Sequence, residues 1–170
     1  MRNSGLDFTI FRPSLIYGPR DHFVNLFARI IRYSPFVPVL GRRGAKFQPV
    51  PVEAVAAAFV RSISQPLSVG KTFDLCGEET FTMDGMLDHI LKVLGKRRIK
   101  LHLPEALAKI QAAVLEAIFP LFGKAPPLNR DQLLMLREDN VGNAVPAREL
   151  FSLRLPPFEE GVLRYLNPRP

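Results

Sequence analysis

Apolar and polar positions follow one another along this chain in two patterns, one typical of strands and one typical of helices. A short apolar run at residues 6–11 predicts the first strand, and Pro13 ends it. Apolar residues spaced three or four positions apart predict helices. The predicted helices cover residues 23–33, 53–63, 82–94, 129–138 and 158–166, and one more begins at Pro104. The remaining predicted strands are residues 46–48, 72–75 and 99–103.

Residues with known preferences for helix ends support these boundaries. Thr82 suits the N-cap of its helix, and Gly95 suits the position just after the C-terminus. Asn129 is followed three residues later by Gln132, a variant of the capping box. Residues 36–51 are rich in Pro and Gly, and we expect them to be irregular apart from the short strand that they contain.

The order of these elements predicts an α/β protein with a parallel sheet and an appended helical region. The sequence Ala125-Pro126-Pro127 marks a break between the two parts. We assign residues 1–124 to the strands, helices and substrate-binding region, and residues 125–170 to a helical C-terminal extension. The predicted strands are too few for a sheet of usual size, so we expect the chain to be part of a larger α/β unit without a complete active site.

Composition narrows the class of protein. With 170 residues, 47% of them hydrophobic, the chain is long and apolar enough to bury a core. Its single cysteine, Cys76, excludes an internal disulfide framework, and nothing at the N-terminus resembles a signal peptide, so we expect a cytoplasmic protein. Residues 103–123 are mostly apolar but contain charged residues and Pro120, which argues against a transmembrane segment.

The net charge of +7 is compatible with nucleic acid or an anionic membrane as a partner. The positive residues form two short clusters: Arg42, Arg43 and Lys46, and then Lys96, Arg97, Arg98 and Lys100. Both clusters are predicted to lie in loops, and no aromatic residues are interleaved with them as in a platform for single-stranded nucleic acid. The sequence therefore favours solvated loop charges, and we expect no nucleic-acid partner.

Residues 8–19, with the sequence Phe-Thr-Ile-Phe-Arg-Pro-Ser-Leu-Ile-Tyr-Gly-Pro, are the most specific stretch of the chain. They resemble the T-I-x-R-P-x-x-x-Y-G-P strand and loop of the extended, or atypical, short-chain dehydrogenase/reductases, the NAD-dependent epimerase/dehydratase group. Residues 50–56 are similar to the family's V-x-V-x-D-V-A segment, although Ala54 replaces the Asp. Residues 129–140 and 159–166 resemble the end of one branch, which includes bacterial relatives of the nucleotide-binding accessory subunit of respiratory complex I.

This resemblance implies that the chain is the C-terminal portion of a Rossmann-like protein whose cofactor is NAD or NADP. The family binds the dinucleotide through a Gly-rich turn after its first strand, and it uses a Tyr and a Lys four residues apart for proton transfer. This chain has no clear Gly-rich turn, and none of its three tyrosines, Tyr17, Tyr33 and Tyr165, is followed by Lys at that spacing. We therefore expect no catalytic residue here, and no tight cofactor binding by the chain alone.

The same resemblance implies a cofactor wall. Carried over from the family, Pro13, Ser14, Leu15 and Ile16 would contact the nicotinamide end of the cofactor. The alternative is that Pro13 and Ser14 merely end a strand. The sequence supports the two interpretations about equally.

Three phenylalanines are the candidate substrate residues. Phe23 and Phe27 fall on the helix after the first loop, a region that lines the substrate cleft in the family, although such a face more commonly belongs to a core. Phe47 stands where sugar-nucleotide members of the family carry an Arg, so we expect a small, mostly apolar substrate in the parent protein. The alternative is that Arg42 or Arg43 takes over the phosphate-binding role.

Metal and thiol chemistry find little support in the sequence. His22, His89 and His102 have no ligand spacing with one another or with Cys76, so we expect no metal site. Cys76 has no obvious base nearby, which favours a buried structural thiol over a nucleophile.

We interpret the chain as the substrate-side fragment of an NAD(P)-dependent epimerase/dehydratase-like oxidoreductase, not catalytically complete by itself. Two alternatives stay open: a non-enzymatic assembly or structural subunit of a respiratory complex, and a truncated reading frame. The expected partners are the substrate and either another protein or a second copy, joined through the strand at residues 6–11. A peripheral position at a membrane complex is the alternative to a purely cytoplasmic location.

Overall fold

In the computed structural model, the described residues are 5–39, 42, 44–102, 136 and 138–166. Strands and helices alternate along them, with one turn of 3-10 helix at Pro66–Ser68. The strands are β1 (Ile10–Pro13), β2 (Ile16–Tyr17), β3 (Phe36–Val39), β4 (Lys46–Phe47), β5 (Val50–Pro51), β6 (Thr72–Leu75), β7 (Phe81–Thr82) and β8 (Ile99–His102). The α-helices are α1 (Phe23–Tyr33), α2 (Val52–Ser62), α3 (Met83–Val93), α4 (Val145–Leu150) and α5 (Phe158–Leu166).

The strands pair two by two. β1 runs parallel to β6, β2 to β5 and β3 to β8, whereas β4 is antiparallel to β7. β1 and β6 are in register from Ile10 opposite Thr72 to Pro13 opposite Leu75. Parallel neighbours need long crossover connections, and the helices between these strands supply them. The predicted α/β class with parallel strands is confirmed.

Two apolar clusters hold the described residues together. The main cluster lies between α1, β3, α3 and α5, with Phe27, Ile31, Met86 and Ile90 fully buried at its centre. The second cluster packs α2 and α4 against β6 and contains Val50, Ala54, Phe73, Leu75 and Phe151. Burial of these side chains is the dominant stabilising contribution to the fold.

The local signals for α3 act as predicted. The hydroxyl oxygen of Thr82 accepts a hydrogen bond from the backbone N–H of Gly85 at 3.2 Å, which caps the first turn. Gly95 adopts a φ of 60°, and the N–H of Lys96 then donates to the carbonyl of Leu91 at 3.0 Å. α1 and α5 also have the predicted bounds, and α2 is shifted by one residue.

The predicted bounds of the first strand were wrong. β1 begins at Ile10 rather than at residue 6, and it includes Pro13. The N–H groups of Ile10 and Ser14 both donate to carbonyls on the β6 side at 2.9 Å. Since backbone groups alternate sides along a strand, Pro13 directs its missing N–H away from β6, and the pairing is not interrupted.

The prediction that residues 36–51 are irregular apart from one strand was also wrong, because β3, β4 and β5 all lie there. In β3 the side chains of Val37 and Val39 are buried, although Pro38 stands between them. The carbonyl of Pro35 accepts from the N–H of Ile99 at 3.0 Å, so it faces β8. By alternation Pro38 faces away from β8, where its missing N–H costs no strand hydrogen bond.

The C-terminal region contributes to both clusters. Leu136 and Phe158 pack in the main cluster, and Phe151 of the turn after α4 packs in the second. The helices predicted at Pro104 and from Asn129 fall mostly outside the described residues, and the division at residue 125 stays a prediction. Among the helices that the structure describes, none has both the length and the hydropathy needed to cross a bilayer.

Candidate functional site

A cavity of about 270 Å³ opens at the carboxyl ends of β1 and β6. It is lined by Arg12, Pro13 and Ser14 of the first strand and loop, by Asp74 and Cys76 of the second, and by residues 139–142. In open α/β sheets, ligands bind in the crevice outside the carboxyl ends of the strands. The cavity therefore lies where the fold places its binding sites.

An ion pair forms one side of this cavity. Arg12 and Asp74 stand opposite each other in the β1–β6 register, and both Nε and Nη2 of Arg12 lie 2.8 Å from Oδ1 of Asp74. The other carboxylate oxygen accepts the backbone N–H of Asn143 at 3.2 Å. Because the side chain of Arg12 is 67% exposed, this pair adds little to stability, but it holds one guanidinium and one carboxylate at the rim.

Residues 139–142 form the opposite wall, and they are held by backbone and side-chain hydrogen bonds. The hydroxyl of Ser14 donates to the carbonyl of Asn140 at 2.7 Å, and the N–H of Asn140 donates to the carbonyl of Lys46 at 2.7 Å. The N–H of Gly142 donates to Oε1 of Gln48 at 2.6 Å. The wall is thus tied to the loop after β1 and to the β4 region.

Cys76 lies at the floor of the cavity with only 2% of its surface exposed. Burial raises the pKa of its thiol, and the nearby charge of Asp74 raises it further. A raised pKa keeps the group as a thiol near neutral pH, and the thiol is a much weaker nucleophile than the thiolate. These properties agree with the interpretation of Cys76 as a structural residue.

Two tyrosines near the loop after β1 are also held in the neutral form. Burial, and then the charge of Glu53, raises the pKa of Tyr17 to about 12. Burial, followed by the charge of Asp21, raises the pKa of Tyr165, whose hydroxyl donates to Oδ2 of Asp21 at 3.2 Å. Groups with such raised pKa values are poorly suited to exchange protons near neutral pH.

Two histidines outside the cavity form pairs with carboxylates. Within the part of the chain that the structure describes, no three His, Cys, Asp or Glu side chains lie close enough together to hold a metal ion. His89 contacts Glu159 at 3.2 Å, and His102 contacts Asp84 at 3.1 Å. Both pairs join helix α3 to a neighbouring element.

The four predicted cofactor residues separate into two groups. Pro13 and Ser14 line the cavity. Leu15 packs against the main cluster, and Ile16 pairs with Val50 in the β2–β5 ladder with 36% of its surface exposed. Their contact with a nicotinamide stays a prediction.

The three predicted substrate residues lie on or in the main cluster. Phe27 and Phe47 are fully buried there, and the ring of Phe23 packs edge-on against Phe27 at 5.0 Å. None of the three is among the residues that line the cavity described above. A role in substrate binding stays a prediction, and for Phe27 and Phe47 it would act through packing.

Sequence reasoning missed most of the cavity wall. Arg12 belongs to the most specific motif of the chain, but nothing local shows that its partner is Asp74. The structure also shows why residue 142 is a glycine, because a Cβ atom there would lie 2.8 Å from the carboxylate of Asp74. Only a close approach of this kind requires glycine at a position without a positive φ.

No protein-family model matches the chain, but sequence comparison with known proteins finds relatives. It is 32% identical over 151 residues to the mitochondrial NADH dehydrogenase (ubiquinone) 1 alpha subcomplex subunit 9 of Arabidopsis thaliana, covering 84% of this chain and 37% of that protein. It is 27% identical over 158 residues to the protein of the same name from Dictyostelium discoideum, covering 92% of this chain and 43% of that protein. The chain is thus similar in sequence to part of these subunits and spans less than half of their length. The branch indicated by residues 129–140 and 159–166 is confirmed.

Solved structures establish the fold of this chain. An epimerase from Methanothermobacter thermautotrophicus superposes with a TM-score of 0.67 at 14% identity, covering 97% of this chain and 44% of that one. The UDP-glucuronic acid 4-epimerase of Bacillus cereus, solved with UDP-glucuronic acid and NAD, gives a TM-score of 0.65 at 14% identity, covering 97% and 46%. The fold is therefore that of the NAD-dependent epimerase/dehydratase group, and the chain spans less than half the length of these proteins.

Proposed function

We propose that this chain forms the substrate-side part of an NAD(P)-dependent epimerase/dehydratase-like oxidoreductase and is not catalytically complete by itself. The observation that carries the proposal is the cavity at the carboxyl ends of β1 and β6, with Pro13 and Ser14 in its wall. The fold shared with epimerases solved with NAD supports it. In this role the chain closes the nicotinamide end of a dinucleotide site whose pyrophosphate-binding turn lies in other residues of the parent protein.

The cofactor proposal gives a direct measurement on the chain. We expect the purified chain to bind NAD(H) and NADP(H) weakly or not at all, because a nicotinamide wall offers few of the contacts that a dinucleotide needs. Calorimetric titration checks this, with a longer protein that contains this chain as the positive reference. A micromolar dissociation constant for the chain alone would contradict the proposal.

The cofactor wall is tested in that longer protein. Ser14→Val removes the hydrogen bond to Asn140, and we expect it to weaken NAD(H) binding by about ten-fold. Ser34→Val is the matched control, since the hydroxyl of Ser34 donates only to the nearby carbonyl of Phe36. Equal binding by the Ser14 and Ser34 variants would show that the loop after β1 does not form the wall.

We further propose that the ligand of the parent protein is mostly apolar rather than a nucleotide-sugar. Phe47 stands in the place of the family's Arg, and Nη2 of Arg42 already donates to Asp139 at 2.8 Å, which weakens the case for Arg42 as a phosphate ligand. A thermal-shift screen of the longer protein checks this. Clear stabilisation by a UDP- or GDP-sugar, lost in the variant Arg42→Ala with Arg43→Ala, would contradict it.

A second candidate function is a non-enzymatic subunit that assembles with other proteins, peripheral to a membrane complex. The sequence relatives favour this second function, because they are subunits of an NADH dehydrogenase. The two candidates differ in one measurable property. In the longer protein that contains this chain, an oxidoreductase would turn NAD(H) over in the presence of candidate substrates, whereas a non-enzymatic subunit would leave it unchanged.

A further inference from the structure

The outer face of the β3–β8 pair is apolar and uncovered in the described structure. Side chains alternate along each strand, so Val37 and Val39 are buried against the main cluster while Phe36 and Pro38 lie on the other face. Ile99 stands opposite Phe36 in the register. Their exposed fractions are 59% and 46%, which is unusual for a register pair of large apolar side chains.

The exposed apolar surface extends beyond Phe36 and Ile99. Leu101, opposite Pro38, is 41% exposed, and Tyr33 at the end of α1 is 85% exposed. Arg29 lies one turn before Tyr33 on the same face of the helix and is exposed. Nε of Arg98 donates to the carbonyl of Ile31 at 2.8 Å, which ties the loop before β8 to α1.

Exposed cations adjoin these elements along the chain. Lys96 and Arg97 are exposed in the loop that enters β8. We define the basic apolar face as Tyr33, Phe36, Ile99 and Leu101 together with Arg29, Lys96 and Arg97. The pairing of β3 with β8 forms this face, and it was not predicted because residues 36–39 were expected to be irregular.

The charge of this region is one-sided. β3 lies within residues 22–52 and β8 within residues 89–104, and neither stretch contains Asp or Glu, although together they hold ten of the 23 Lys and Arg residues. The neighbouring carboxylates lie behind the sheet: Lys100 pairs with Asp84 and Asp88 of α3, on the opposite face from Ile99. The outer face is thus left with a positive potential.

We propose that the basic apolar face binds the surface of an anionic lipid bilayer. Aromatic and aliphatic side chains insert at the headgroup boundary, and flanking Lys and Arg residues are attracted by the negative surface potential. Nucleic acid fits less well, because apart from Arg and Lys the segments 29–39 and 95–102 contain none of the Asn, Gln, Asp or Glu side chains that read base edges. This membrane binding goes beyond the proposed function and does not depend on it.

The test is co-sedimentation of the purified chain with vesicles of phosphatidylcholine alone and of phosphatidylcholine with added phosphatidylglycerol. We expect binding only when phosphatidylglycerol is present, and we expect salt to weaken it. Arg97→Ala should lower the affinity about five-fold. Ile99→Asp should lower it at least as much, because it removes an inserted side chain and adds a negative charge.

Matched controls lie on a different surface. Lys71→Ala removes an exposed cation near the start of β6, and Ile63→Asp changes an 88% exposed isoleucine after α2, so both should bind as the unchanged chain does. Circular dichroism and thermal melting verify that every variant is folded. The proposal is overturned by absence of binding, by equal binding to neutral vesicles, by equal losses in the control variants, or by a short RNA that binds the same face while vesicles do not.

Discussion

Two glycines beside the cavity stand where any side chain would collide with a neighbour. A Cβ atom on Gly77 would lie 2.1 Å from the carbonyl oxygen of Pro49, and one on Gly142 would lie 2.8 Å from the carboxylate of Asp74. At Gly77 the obstacle is backbone, which shifts less easily than a side chain. The N–H of Gly77 also donates to the carbonyl of Gln48 at 3.2 Å. This hydrogen bond holds the residues that follow β6 close to those that follow β4.

Gly77→Ala should therefore destabilise the chain. We expect the free energy of unfolding to fall by about 1–3 kcal/mol, the usual cost of forcing extra volume into a packed site. Gly85→Ala is the control, because a Cβ there would meet its nearest neighbour at 3.6 Å, an ordinary contact distance, inside helix α3. Urea unfolding of both variants measures the difference, and equal midpoints for Gly77→Ala and the unchanged chain would show that this approach is not close.

At the scale of elements, helix α2 has two very different sides. Ala54, Val55 and Ala58 are buried against the second cluster, whereas Val60 is 67% exposed. Phe59 reaches towards β1, where its ring lies 4.7 Å from that of Phe11, and still remains 53% exposed. Leu6 (71%), which precedes β1, and Ile63 (88%) and Leu67 (63%), which follow α2, are also exposed.

Because β1 pairs only with β6 among the described strands, its second edge adds unpaired backbone groups to this apolar surface. We expect the chain alone to self-associate at high concentration and to bind a dye that reports exposed apolar surface. Val60→Lys with Ile63→Lys should reduce both effects. Analytical ultracentrifugation and dye fluorescence measure them, and a monomeric chain with a cooperative melt and no dye signal would contradict this prediction.

The elements that the sequence predicts well are those whose signals are local. α1, α3 and α5 combine helical spacing with end signals such as Thr82 and Gly95, which act within a few residues. β3 contains Pro38 and is recognisable as a strand only through its pairing with β8 far along the chain. Two-residue strands such as β5 carry too little pattern to identify.

At the scale of the whole molecule, the candidate site is hard to predict for the same reason as β3, because its residues come together only in the folded chain. The loop of Pro13 and Ser14 could be assigned to a cofactor wall from its resemblance to a family, yet the residues that face it come from β6 and from residues 139–142. Neither composition nor spacing relates these segments to one another. The α/β class, in contrast, follows from the order of elements, which needs no long-range information.

The hydrogen bond between Ser14 and Asn140 joins residues 126 positions apart, and it has a consequence for how this protein is made. During synthesis the first strand leaves the ribosome long before the segment that completes its cavity. Contacts of such wide separation form late, since the entropy of closing the intervening loop opposes them. The nascent chain therefore passes through a stage in which the loop of Ser14 has left the ribosome while the cavity is still open to solvent, a stage at which a chaperone has most to shield.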